Sequence, residues 1–183
     1  MNILSILKDK YKECEPIFDY EIYDLGFTDK DIEDTFKYNV FEELNKVDII
    51  PCRIFYLVGY NEKFNIYFRL NKESEDIINK YFIGKDYEFG YVFGLSLQNR
   101  VGISTQVPRN IYIKSNRTDK EIKYNYFIIE PDKDYEFGDF KYVQLAEMLK
   151  YQDSAEYSLS ETINKLKSEC TDIQKLKKYE EMT

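Results

Sequence analysis

The stretch from Val47 to Val58 reads VDIIPCRIFYLV, and Pro51 within it decides what it becomes. Proline offers no amide to a strand ladder and breaks a helix interior, so this β-branched and aromatic run predicts two short strands with the proline at a turn or an edge. The residues before it follow a different period. Ile3, Ile6 and Leu7 share one helical face, with Tyr11 a turn further on. After Glu15 and Pro16, Ile17 to Leu25 reads as a short extended piece and a brief second helix, stopped by Gly26. Thr28, three residues before Asp31, occupies an N-cap position and opens a third helix with Ile32, Phe36, Val40 or Phe41, and Leu44 at helical spacing. Three helices and then a hairpin is the order of a winged helix-turn-helix with its third helix in the recognition position, and equally that of a generic helical subdomain.

Beyond this region, Phe64 to Leu70 predicts a strand, Ser74 to Phe82 a short helix, and Tyr91 to Val101 a helix that contains Gly94. Asn110 to Lys114 and Ile122 to Ile129 read as strands and Tyr142 to Leu149 as an apolar helix, a mixture of the α+β class. The hexapeptide KDYEFG occurs at Lys85–Gly90 and again at Lys133–Gly138, which reads as two similar approaches to a helix; two copies are too few for a repeat architecture. In the tail, Ser158 and Glu161 form a capping box ahead of Leu159, Ile163, Leu166, Cys170 and Ile173. Their alternating steps of four and three predict one amphipathic helix, packed on its own domain or paired with a second copy. The expected organisation is a winged helix-turn-helix-like domain over residues 1–60, an α+β domain over 61–151 and a C-terminal amphipathic helix over 152–183.

Apolar residues at 43% and aromatics at 17% are enough to fold a chain that is 33% charged, and 183 residues permit two small cores. There is no histidine, which removes the commonest general base, the usual partner of a serine or cysteine nucleophile and the commonest metal ligand. No glycine-rich phosphate loop and no convergent carboxylate motif compensates, so the expectation is a binding protein without catalysis, cofactor or metal. No apolar run approaches the ~20 residues that cross a bilayer, and the start MNILSILKDKYK lacks a signal-peptide pattern; a cytosolic protein without membrane contact is expected. Cys14, Cys52 and Cys170 are odd in number and far apart, which predicts reduced thiols.

The net charge of -8 is uneven. Residues 1–60 hold thirteen acids and seven bases, a sum of -6, and residues 61–183 hold twenty-one and nineteen, a sum of -2. Arg100 to Lys123 is the one basic stretch, with Arg100, Arg109, Lys114, Arg117, Lys120 and Lys123 against Asp119 and Glu121.

The run GYVFGLSLQNRVGISTQVP, Gly90 to Pro108, resembles a segment of the AbiEi-type antitoxins of bacterial abortive-infection systems, and KYKECEPIF and LGFTDKDI resemble the start of that family's DNA-binding domain. The resemblance runs to about Lys150 and leaves the tail after Tyr151 unmatched. It implies a winged helix-turn-helix joined to an α+β antitoxin domain, acting in phage defence against a nucleotidyltransferase toxin and repressing transcription from its own promoter. DNA contacts would fall to Lys30, Lys37, Tyr38, Asn39 and Lys46. Ser104, Thr105 and Gln106, with the basic residues Arg100, Arg109, Lys114 and Arg117, would form the antitoxin-domain surface, unless the loop residues serve only to bond the local backbone.

Charge argues for a second reading. From Asp29 to Lys46 six acids face three lysines, a net of -3, where a DNA-reading helix meets a dense row of phosphates. The same scaffold reads as a phage-borne acidic inhibitor, with Asp29, Asp31, Asp34, Glu42 and Glu43 standing in for phosphates against the basic channel of a nucleic-acid-handling defence enzyme. The expected partners are therefore promoter DNA or a protein with a basic surface, and a second copy through the C-terminal helix.

Overall fold

Residues 3–100, 104, 106–136, 138–150 and 161–183 are described by the computed structural model. They fall into two units, Met1–Ile77 and Ile78–Thr183, each of mixed α and β structure.

In the first unit Thr28 takes the capping role its position suggests. Its hydroxyl accepts the Asp31 amide at 3.4 Å while Asp31 Oδ2 accepts the Thr28 amide at 2.8 Å, so two donors at the helix start find partners in each other's residue. The order is α1 (Ile3–Lys10), β1 (Ile17–Phe18), α2 (Asp19–Asp24), α3 (Asp29–Phe36), β2 (Phe41–Glu43) and β3 (Ile54–Leu57). The strands form an antiparallel sheet in the order β1-β3-β2, with Ile17 opposite Phe55 and Phe41 opposite Leu57. Ile3, Leu7, Ile17, Ile22, Ile32, Phe41 and Phe55 make the core under it. Phe41 stacks on Phe36 at 5.6 Å and on Phe55 at 5.4 Å between centroids.

Two expectations for this region are corrected. The third helix stops at Phe36 instead of reaching Leu44: Asn39 adopts a left-handed φ of 53°, the chain reverses, and Phe41 reaches the core as a strand residue. Spacing alone could not separate the two, because Ile32, Phe36, Val40 and Leu44 fall at steps of four and continue one helical face. The hairpin is likewise not confined to Val47–Val58. It pairs β2 with β3, and the connection from Leu44 to Arg53 carries Pro51.

A second hairpin follows, β4 (Gly59–Asn61) with β5 (Ile66–Phe68), Tyr60 opposite Tyr67. It belongs to the first unit, which a division at residue 60 would have cut through. The Tyr60 amide donates to Glu13 Oε2 at 3.3 Å, and the Cys14 thiol donates to the Phe68 carbonyl at 3.5 Å.

Helix α4 (Glu75–Phe82) spans the division between the units. Then come a 3-10 turn (Lys85–Tyr87), β6 (Gly90–Val92), α5 (Gly94–Arg100), β7 (Ile111–Ser115), β8 (Ile122–Tyr124), β9 (Phe127–Pro131), α6 (Phe140–Leu149), α7 (Glu161–Glu169) and α8 (Ile173–Met182). The sheet order is β6-β7-β9-β8, with β7 and β9 parallel and the other pairs antiparallel. An added Cβ at Gly90 would run into the carbonyl oxygens of Lys114 and Phe82, which is why glycine stands where β6 meets β7.

Here too the sequence reading needs correction. Tyr91–Val101 is not one helix, since Tyr91 and Val92 pair with β7 before α5 begins at Gly94. The run Ile122–Ile129 is two strands, turned at Asn125 with φ of 51°. The first KDYEFG leads into β6 and the second toward α6, so they are not similar helix approaches. The tail is two helices: Asp172 ends the first register by capping α8, accepting the amides of Gln174 and Lys175 at 3.0 and 3.1 Å. Ile163, Leu166 and Cys170 are buried, and α7 and α8 both lie against α6, while Ile173 is exposed. Ser158 and Leu159 lie outside the described residues.

Polar groups thread this unit's interior. The Gln144 side chain accepts from the Val92 amide and donates to the Val92 carbonyl, both at 3.0 Å. The Ser115 hydroxyl donates to the Phe82 carbonyl at 2.6 Å, and Tyr91 donates to Asp132 at 2.9 Å. Asp139 accepts from Lys175 at 2.8 Å and from the Tyr179 hydroxyl at 2.7 Å, pinning α8 to the start of α6. No described helix is long and apolar enough to cross a membrane.

Candidate functional site

Only part of the expected DNA-contact set stands on α3. Lys30 lies in its first turn; Lys37 follows its last residue, with its ammonium 5.4 Å from the Tyr38 ring, and Asn39 is the left-handed residue of the reversal. All four are exposed. Lys37 and Tyr38 join Asp31 and Asp34 around a hollow of about 150 Å³. Lys46 sits in the β2–β3 connection, where it lines a separate groove of about 260 Å³ with Glu43 and Arg53.

The acids are largely engaged within their own unit. Arg53 makes two bonds to Glu43, at 2.8 and 3.0 Å, and a third to Asp29 at 3.1 Å, while its guanidinium lies 4.9 Å from the Phe55 ring. Arg69 clamps Glu42 at 2.9 and 3.0 Å, and the Tyr56 hydroxyl donates to the same carboxylate at 2.5 Å. These donors hold the Glu42 carboxyl below its ordinary pKa, while burial first and then the bond to the Glu42 carboxylate push the Tyr56 phenol up against the Arg69 charge. Asp31 is held low by the Thr28 bonds of the cap. Neither Arg53 nor Arg69 was singled out by the sequence reading. For Arg53 the signal is its place beside β3, whose partner β2 carries Glu42 and Glu43; Arg69 follows β5, which pairs with the acid-free β4, and carries no such signal.

The loop after α5 has local work. Asn99 donates to the carbonyls of Ser104 and Gln106 at 3.2 and 3.3 Å, and the Gln106 amide donates to the Ser104 hydroxyl at 3.1 Å. Ser96, buried on α5, accepts the Tyr112 amide and donates to the Asn110 carbonyl, tying the helix to β7. Thr105 lies outside the described residues.

The basic stretch does not gather into one patch. Arg117 is sandwiched between the rings of Tyr81 and Phe89 at 4.5 and 3.6 Å, and Lys114 lies over Phe93 at 5.2 Å. Lys123 pairs with Glu121 at 3.1 Å, and Arg109 is exposed in the approach to β7. Arg100 lines a cavity of about 410 Å³ with Asp86, Tyr87, Leu97, Gln144 and Met148. Burial raises the Tyr87 phenol there, against the opposing pull of Arg100.

Cys14 and Cys52 are half-buried and Cys170 is buried, its thiol pKa pushed up to about 11 by burial. Among the described residues no group of three or more histidine, cysteine, aspartate or glutamate side chains is placed to hold a metal ion. Comparison with protein-family models finds no match, and comparison with curated proteins and with solved structures finds none either.

Proposed function

We propose that the chain is a non-catalytic binding protein, an AbiEi-like antitoxin and autorepressor. The supporting observation is the first unit's topology: helix, strand, two helices and two strands, with the early strand added beside β3 in the order β1-β3-β2. That order supports a winged helix-turn-helix reading, in which α3 takes the reading position and the β2–β3 connection serves as the wing. The Gly90–Pro108 run that resembles the antitoxin family begins on β6 and α5 of the other unit.

In this reading Lys30, Lys37, Tyr38 and Asn39 meet DNA from α3 and its reversal, and Lys46 from the wing. Three lysines on phosphates give a shallow salt dependence, a slope of about -3 in log affinity against log salt per copy. A mobility-shift titration with the gene's own upstream DNA tests it: retardation at low salt that Lys30→Ala and Lys37→Ala each weaken is expected. No retardation at micromolar protein removes the repressor role. Co-expression with a neighbouring nucleotidyltransferase, with growth restored, tests the antitoxin role separately.

The net -3 of Asp29–Phe36, four acids against Lys30, supports a second reading, an acidic inhibitor of a protein with a basic nucleic-acid channel. Its surface is narrower than five acids, because Asp29, Glu42 and Glu43 are paired with Arg53 and Arg69 and Asp31 is used in the cap. Capture of a host enzyme that survives Asp34→Lys would speak against it.

A further inference from the structure

Of the eleven large apolar side chains exposed among the described residues, five lie between Tyr60 and Phe68. Tyr60 is 40% open, Phe64 64%, Ile66 53%, Tyr67 59% and Phe68 42%. They sit on a hairpin of two three-residue strands whose faces both carry rings: Tyr60 and Tyr67 pair on one face at 4.8 Å, and Phe68 covers Gly59 on the other. A two-stranded hairpin open on both faces is marginal in water and is ordinarily completed by further structure.

We propose that this hairpin is a dimerisation element, covered by the same hairpin of a second copy of the chain through antiparallel pairing of β5 with β5 about Tyr67. Three observations select that occupant. The first is edge geometry. The Tyr60 amide turns outward to Glu13, so Tyr60–Tyr67 is the non-bonded pair of the ladder and the Tyr67 amide and carbonyl face the open edge of β5. Two such edges related by a two-fold axis exchange both bonds.

The second is self-complementarity. A two-fold at Tyr67 sets Ile66 opposite Phe68 twice, a β-branched residue against an aromatic, and sets Asn65 opposite Arg69, so no like charges meet. Residues 59–68 carry only Glu62 and Lys63 and sum to zero, on a chain of net -8 that elsewhere repels its copy. The third is area. Side chains of this size expose about 200 Å² each, so five that are half open present about 500 Å² per copy, of which edge pairing covers the part flanking Ile66, Tyr67 and Phe68, the size of a weak, concentration-dependent interface.

The proposal is independent of the functional reading above and differs from pairing through the C-terminal helix. Sedimentation equilibrium of the full chain over a micromolar range tests it. The mass is expected to rise from 22.1 kDa toward twice that value with concentration. Tyr67→Lys, which sets two lysines opposite one another, and independently Ile66→Asp are expected to weaken the association about tenfold or more, with far-UV dichroism unchanged because both positions are open. Ile173→Lys, on the exposed face of α8, is expected to leave it intact. A wild-type chain that stays at 22.1 kDa throughout overturns the proposal, as does a dimer that Tyr67→Lys and Ile66→Asp leave unchanged or one that Ile173→Lys dissolves.

Discussion

The first unit keeps its charge outside: apart from the tyrosines Tyr11 and Tyr56, Thr35 is its one buried polar side chain among the described residues, and its core is aliphatic and aromatic, whereas the second unit carries Ser96, Ser115, Thr118, Asp132, Asp139 and Gln144 inside. Charge divides the opposite way. Residues 1–77 hold seventeen acids and ten bases, a sum of -7, and residues 78–183 hold seventeen and sixteen, a sum of -1. An apolar core is set by volume and shape, and it frees the surface to vary its charge. A core crossed by hydrogen bonds is set by geometry, and each bond lost leaves a buried group without a partner.

The largest expected effect tests the apolar side. Phe55→Ala deletes a fully buried ring that stacks on Phe41 and should destabilise the first unit by about 3–5 kcal/mol. Hydrogen exchange should show lost protection in α1, α3 and β3 while α6 amides keep theirs; equal loss in α6 would erase the distinction between the units. Next comes Gln144→Leu, close in size but with no group to bond Val92. It strands an amide and a carbonyl and should cost about 2–4 kcal/mol by urea titration, whereas a purely volumetric core would accept it.

A smaller effect depends on pH. Burial pushes the Asp139 carboxyl up, but the bonds from Lys175 and Tyr179 and the lysine charge outweigh it and hold it below 3.8. A depressed carboxylate contributes stability that is present above its unfolded pKa and lost as pH falls through the folded one. The second unit should therefore loosen below about pH 4, and Asp139→Asn should flatten that part of its stability curve by about 1–2 kcal/mol. An unchanged acid limb in thermal melts would show that Asp139 is not the group lost. The smallest effect belongs to the charged surface of the first unit: Arg53→Met, which breaks three exposed bonds, should shift stability by under about 1 kcal/mol while raising that unit's net charge to -8. A larger loss would mean that its acids need their arginines to fold.

The sequence disclosed most where a local signal had no competitor. Thr28 with Asp31 marked the start of α3, and β-branched and aromatic residues marked β3 and β7. It misled where one spacing serves two structures, as with Phe41 and Leu44, or where identical letters meet different surroundings. In the first KDYEFG, Asp86 and Tyr87 are left-handed at φ of 55° and 61° and Gly90 is in a strand; in the second, Tyr135 packs on Tyr91, Phe140 and Tyr179, and Gly138 has φ of 87°. Six residues could not contain the answer, since Lys114 and Tyr179 supply it from elsewhere in the chain. The acidic character of α3 was readable from its letters; its partial cancellation by Arg53 and Arg69 was not, because each arginine meets its acid only after the strands align.

The parallel pairing of β7 with β9 bears on time as well as on energy. The turn at Asn125 lets β8 and β9 zip together as neighbours, but β7 joins them only when Ile111 finds Phe127, sixteen residues on, and β6 is further off, since Gly90 meets Ser115 twenty-five residues away. Each of these closures costs chain entropy before any ladder repays it. The second unit should therefore assemble from its C-terminal strands backward, so that Gly90–Val92 finds its place on the sheet late in folding.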